Sequence, residues 1–271
     1  PEITLAEIQR ARSERPESIS AWDCYLRALP PFYAMDKAGY DEAKALLREA
    51  IEIDTRFAAA YATLARCYVH AGMHGWGRSA REVFSKAEDL ARKATAIDER
   101  EPLGHLALGW VHIFKTEQES AIDELKRALE LNPNLTIAHG YLINAYAFAG
   151  RPEEALVAAD RAQHGSPRDP ERWMWFIGIM NAHFAEERYE EAVDAAEQAV
   201  LLQQSFYGGY VGLAISLVHL GRLEEAREAV RNLRRVMPRL TLKNTARNPM
   251  FARENDVARM LEGLRRAGLP E

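Results

Sequence analysis

Cysteine is nearly absent from this 271-residue chain: Cys24 and Cys67 are the two present, and they share no C-x-x-C spacing. That count excludes a disulfide framework and a zinc knuckle, and makes reduced intracellular thiols the plain reading. Long apolar runs are missing as well. YVGLAISLVHL, at 210–220, falls short of the roughly 18 residues a spanning helix needs and contains His219, so no membrane span is expected within the chain. Nor is there a strong charge of one sign. A net charge of −5 gives no electrostatic footprint for nucleic acid or an anionic membrane. The charge is uneven, because residues 231–271 hold ten Lys/Arg against four Asp/Glu, a local +6 that leaves −11 for the rest. Such a tail reads as a solvated helix face or a contact to an acidic neighbour. Finally, the chain lacks G-x-S-x-G, H-E-x-x-H, G-x-G-x-x-G and G-x-x-x-x-G-K-[ST], so it carries no recognisable catalytic or phosphate-binding motif.

What the sequence does have is a clock. Alanine recurs at Ala43, Ala87, Ala121, Ala155, Ala192 and Ala226, at spacings of 44, 34, 34, 37 and 34 residues. Seven residues after each stand Ala50, Ala94, Ala128, Ala162, Ala199 and Leu233, and twelve after come Pro133, Pro167 and Pro238 in three of the six units. Small residues let two helices approach closely, and proline marks the turn that follows. In the third unit His105, Leu108, Gly109 and His112 precede Ala121, Leu125 and Pro133; in the fourth His139, Leu142, Ile143 and Tyr146 precede Ala155, Ala159, Ala162 and Pro167. This spacing resembles the tetratricopeptide-repeat family, whose helical hairpins cannot bury their own apolar faces and stack on copies of themselves. The expectation is an all-α, right-handed superhelical solenoid of about six helix–turn–helix repeats forming one domain over 1–271. Residues 1–18 supply an N-terminal helix, 19–238 the repeats and 239–271 a C-terminal capping segment. Pro30 and Pro31 are expected to end the first helix. The surplus residues between Tyr68 and Ala87 read as a Gly-rich connector or a lengthened helix.

Several constellations have a structural reading. Glu153/Glu154, Glu190/Glu191 and Glu224/Glu225 sit in helix first turns, where they favour the helix dipole, and adjacent helical positions do not face one another as an acid and base must. His70 and His74 have the spacing of two metal ligands, but no third ligand is near and Gly72 lies between them, so no metal or cofactor is expected. His105, His112, His139 and His183 fall on the packing register.

A second apolar stripe remains on the first helix of several units. Leu103, Leu106, Trp110 and Ile113 form it in the third; Met174, Ile177, Asn181 and Phe184 in the fifth; Val211, Ile215 and Val218 in the sixth. In stacked hairpins the first helices line the inner wall, which makes a groove for a peptide. The candidate binding residues are Arg66, Leu106, Trp110, Ile113, Asn144, Phe148, Ile177, Asn181, Phe184 and Ile215. Asn144 and Asn181, 37 residues apart, are placed to bond a guest backbone. The competing reading packs this stripe against neighbouring first helices, or against the terminal helix folded back into the groove. Relatives that grip chaperone C-termini use a lysine, arginine and asparagine clamp, whereas here Arg66 is the one obvious cation on a largely apolar stripe.

Three further stretches, PEITLAEIQRARSERPESISAWDCYLRAL, HGWGRSA and RNPMFARENDVARMLEGLRRAGLPE, are together similar to the C-terminal tetratricopeptide region of bacterial class III adenylate/guanylate cyclases and of winged-helix regulators. The resemblance implies a regulatory or interaction module whose catalytic or DNA-binding domain lies upstream, and Pro1 in place of an initiator methionine is consistent with a piece of a longer protein. The expected function is thus a non-catalytic, cytoplasmic scaffold or regulatory module holding a protein, a peptide or an upstream domain of the same polypeptide. The alternative is the sensory region of a cyclase or transcriptional regulator acting by ligand binding or self-association. Nucleic acid is not an expected partner.

Overall fold

The computed structural model describes residues 19–77, 79–247 and 250–271, and all the regular elements among them are α-helices. In chain order these are α1 Ile19–Phe32, α2 Lys37–Ile53, α3 Ala58–Met73, α4 Ala80–Ile97, α5 Pro102–Phe114, α6 Gln118–Leu131 and α7 Thr136–Phe148. There follow α8 Pro152–Gly165, α9 Arg172–Ala185, α10 Tyr189–Leu202, α11 Tyr207–His219, α12 Leu223–Val236, α13 Leu242–Arg247 and α14 Glu254–Arg266. The helix expected within residues 1–18 lies outside the described residues. Two compact units are formed: Pro1–Val111 with Arg127–Pro133, and His112–Lys126 with Asn134–Glu271.

The alanine clock sets the packing. Ala43, Ala50, Ala87, Ala94, Ala121, Ala128, Ala155, Ala162, Ala192 and Ala226 are fully buried, and Ala199 and Leu233 nearly or wholly so. The second member of each pair also ends its helix. The carbonyls of Ala50, Ala94, Ala128, Ala162, Ala199 and Leu233 accept the backbone N–H four residues on, at 2.8–3.0 Å, and the chain then leaves the helix. At the other turn, between first and second helices, a left-handed residue recurs: Gly75, Thr116, Gly150, Glu187 and Gly221 have φ between 60° and 78°. Around each, a short bond spanning three residues and a longer one spanning five close the helix end, as in Gly150 N–H to Ala147 O and Arg151 N–H to Tyr146 O. This is the Schellman arrangement, which satisfies carbonyls the helix leaves open.

In the first unit α1 packs on α2, α2 on α3 and α3 on α4. Contrary to the expectation that Pro30 and Pro31 end the first helix, α1 runs through both prolines to Phe32. A proline φ is compatible with a helix, and the cost of the lost N–H donors is offset where Phe32, wholly buried, anchors the last turn between Tyr40 and His70. The surplus residues of the early repeats lengthen helices, since α2, α3 and α4 have 17, 16 and 18 residues against 13 or 14 for α5 to α12. Side-chain caps start two of them, with Asp36 accepting from Gly39 N–H and Ser79 from Glu82 N–H.

In the second unit the α7–α8 hairpin packs on α9–α10 and that hairpin on α11–α12, and the first helices also meet directly, α7 on α9 and α9 on α11. Glycines permit that closeness. A Cβ on Gly140 of α7 would intrude on the Trp175 indole, and one on Gly212 would stand 2.6 Å from Met180 Cε.

Candidate first-helix binding faces

In the first unit the face contains Arg66, Leu106 and Trp110. Leu106 and Trp110 are fully buried and Arg66 is 5% exposed. The Arg66 guanidinium lies over the Phe32 ring, 4.7 Å from its centroid, where a cation gains from the ring's negative face. His70 completes the cluster, stacked on Tyr40 at 4.5 Å and edge-on to Trp110 at 4.4 Å. His74 stacks on Trp76 at 4.3 Å. The two histidines therefore belong to aromatic packing, and no group of three or more metal-binding side chains occurs among the described residues.

In the second unit the face contains Ile113, Asn144, Phe148, Ile177, Asn181, Phe184 and Ile215, all buried. Asn144 Nδ2–H donates to Met174 O at 3.0 Å, so this amide ties α7 to α9. Tyr141 on α7 adds a second tie, its hydroxyl donating to Glu171 Oε2 at 2.5 Å. Beyond mutual packing, the face is covered by the chain's own C-terminal segment. Phe251 places its ring 5.6 Å from Phe148 and 6.1 Å from Phe184. Beside it Ala252 N–H donates to Phe148 O at 2.8 Å, and Gln118 Nε2–H reaches Met250 O at 3.4 Å. Helix α14 then packs on α11, with Gly263 3.1 Å from Ile215 Cα when its missing Cβ is built.

Two arginines of this segment reach the ends of first helices. Arg253 donates to Gly150 O, in the turn after α7. Arg259 donates to Ala185 O, the last residue of α9, at 3.1 Å and to the Tyr189 hydroxyl at 3.1 Å, pairs with Glu187 at 3.0 Å, and lies over the Phe184 ring. Helix C-termini carry partial negative charge, so cations are favoured there. Asp256, 2% exposed, holds the Arg259 guanidinium at 2.6 Å from within the same helix. Phe251, Gln118, Arg253 and Arg259 were not legible as site residues: the partners that join them to the face lie 67 to 132 residues away in sequence.

The remaining candidates are structural. Glu154 and Glu225 bond Arg151 and Arg222 across the start of α8 and α12, and those arginines hold both carboxyls below the usual carboxylate range. Burial, with nearby arginines, pushes His139 and His183 below the ordinary histidine value; burial does the same for His219, which stacks on Tyr189 at 4.6 Å. Among the described residues no helix is long and apolar enough to cross a membrane.

A tetratricopeptide-repeat family model matches residues 104–135. Among curated proteins the chain is similar to Superkiller protein 3 of Schizosaccharomyces pombe, 28% identical over 226 residues that cover 78% of this chain and 15% of that protein. It is also similar to Putative adenylate cyclase 3 of Rhizobium meliloti, 28% identical over 113 residues, or 40% of this chain and 19% of that one. The chain thus spans less than a fifth of the length of these curated relatives. Among solved structures it is similar to a thermophilic tetratricopeptide protein of Thermus thermophilus, with a TM-score of 0.55 at 18% identity over 73% of this chain and 99% of that chain.

Proposed function

We propose, from the premise that this chain is built of tetratricopeptide repeats, that it is a non-catalytic cytoplasmic scaffold or regulatory module holding a peptide or a neighbouring domain against its first helices. The candidate residues, taken unit by unit, are Arg66, Leu106 and Trp110 in the first and Ile113, Asn144, Phe148, Ile177, Asn181, Phe184 and Ile215 in the second. One observation carries the reading: the second unit's face receives a crossing backbone, with Phe148 O accepting from Ala252 and Gln118 donating to Met250. Main-chain bonding of this kind gives affinity while side-chain pockets give specificity. Photo-crosslinking tests it. A crosslinking residue at half-buried Val211 of α11 should capture the partner, while one at exposed Val157 of α8 should not. Capture at Val157 alone would contradict the assignment.

A second reading is favoured by the likeness to the Rhizobium meliloti protein: a regulatory region attached to a nucleotide cyclase. Sequencing the reading frame upstream of Pro1 decides it, since an encoded class III cyclase domain supports the reading and its absence overturns it.

A further inference from the structure

We infer that the second unit's first-helix face takes a partner segment of defined chemistry, an aromatic residue followed about eight positions later by an arginine on a short amphipathic helix, and that residues 250–266 are its displaceable built-in competitor. The inference rests on the scaffold reading above and specifies the guest.

The built-in segment shows what the face selects. An aromatic ring enters between Phe148 and Phe184, whose own rings offer edges and faces at 5.6 and 6.1 Å, and the next residue's N–H meets a carbonyl that α7 leaves open at its end. Eight residues on, the Arg259 guanidinium meets four groups of the α9–α10 turn and the face beside it: Ala185 O, the Tyr189 hydroxyl, the Glu187 carboxylate and the Phe184 ring. Each contact is made to a helix end or turn, where carbonyl charge is exposed and a planar guanidinium can bond several acceptors at once. A lysine, with one compact charge, would not serve all four. The apolar anchors within residues 250–266 are Phe251, Met260 and Leu264, which are buried, and Met250, Val257 and Leu261, which are half-buried; Ala267 and Leu269 are buried just beyond them. Positions 252–255, 258, 262, 265 and 266 are exposed. A segment half open to water and tied by polar bonds at its rim is the kind that opens locally, ahead of the helices beneath it.

A synthetic fluorescent peptide with the sequence of residues 250–266 tests this by anisotropy against the full chain. Wild type should bind it at least tenfold more weakly than the variant Phe251→Ala/Arg259→Ala, whose own segment is loosened, and Arg259→Ala alone should fall between. Circular dichroism confirms that each variant is folded; should the double variant unfold, Arg259→Ala, which alters the rim, carries the comparison. Peptides with the same phenylalanine or arginine replaced by alanine should lose about tenfold or more. Three results overturn the proposal: no gain in any folded variant, which makes the segment permanent core; equal binding of the alanine peptides, which removes the stated chemistry; or a wild-type dimer in sedimentation that the peptide dissociates, which makes a second copy the occupant. If the peptide fails while Val211 still captures a partner, the scaffold reading stands and the guest chemistry falls.

Discussion

At the scale of single residues, the close approach of first helices is the most demanding feature. Gly140 lies under the Trp175 indole with no room for a methyl group. Gly140→Ala should therefore lower stability by about 1–3 kcal/mol, the usual cost of overpacking, read as a reduced denaturation midpoint in urea at unchanged slope. An unchanged midpoint would mean that α7 and α9 are not in register here. The candidate Trp110 illustrates a limit on what sequence discloses. Its stripe position was legible, but its full burial against His70 was not, because periodicity tells which residues share a face and not what lies over it. Asn144 behaves alike: its amide is used on Met174 O.

At the scale of elements, the repeat is written in two devices with different visibility. The alanine pairs were readable because a small residue at a helix crossing leaves a fixed mark at a fixed interval, and both the burial and the helix ends follow them. The left-handed turn was only half readable. Gly150 and Gly221 announce it, whereas Thr116 and Glu187 occupy equivalent places without glycine. A side chain in that conformation costs roughly 1–2 kcal/mol, part of which glycine returns through unfolded-state entropy. Thr116→Gly should then stabilise by about 0.5–1 kcal/mol, and Gly221→Ala, whose new Cβ would meet nothing within 4 Å, should destabilise by about 1 kcal/mol through backbone strain alone. Thermal melts of the two variants moving in the same direction would refute this account of the turn. The C-terminal helix was legible as amphipathic from Val257, Met260, Leu261 and Leu264, but its seat was not, since Phe251 and Arg259 acquire meaning only when the chain returns to helices formed far earlier.

At the scale of the molecule, stability should depend on pH through three half-buried histidines. Burial lowers the folded values of His139, His183 and His219 below the ordinary 6.5. A group that binds its proton less readily when folded gives stability that is complete above the unfolded value and is lost as pH falls through the folded one. The melting temperature should accordingly hold from pH 8 to about 6.5 and decline toward pH 5. Replacing the three with glutamine should flatten that decline, and a decline of unchanged steepness would assign it elsewhere.

On the reading proposed above, the second unit's first helices hold residues 250–266 as a displaceable guest. Hydrogen exchange at the Ala252 amide, followed by NMR in the full chain, tests this most directly, because that N–H bonds Phe148 O and no helix of its own. Protection well above that of a free peptide, yet clearly below that of the α7 and α9 interior amides, is the predicted result. An Ala252 amide that exchanges as a free peptide, or only together with α7 and α9, would contradict it.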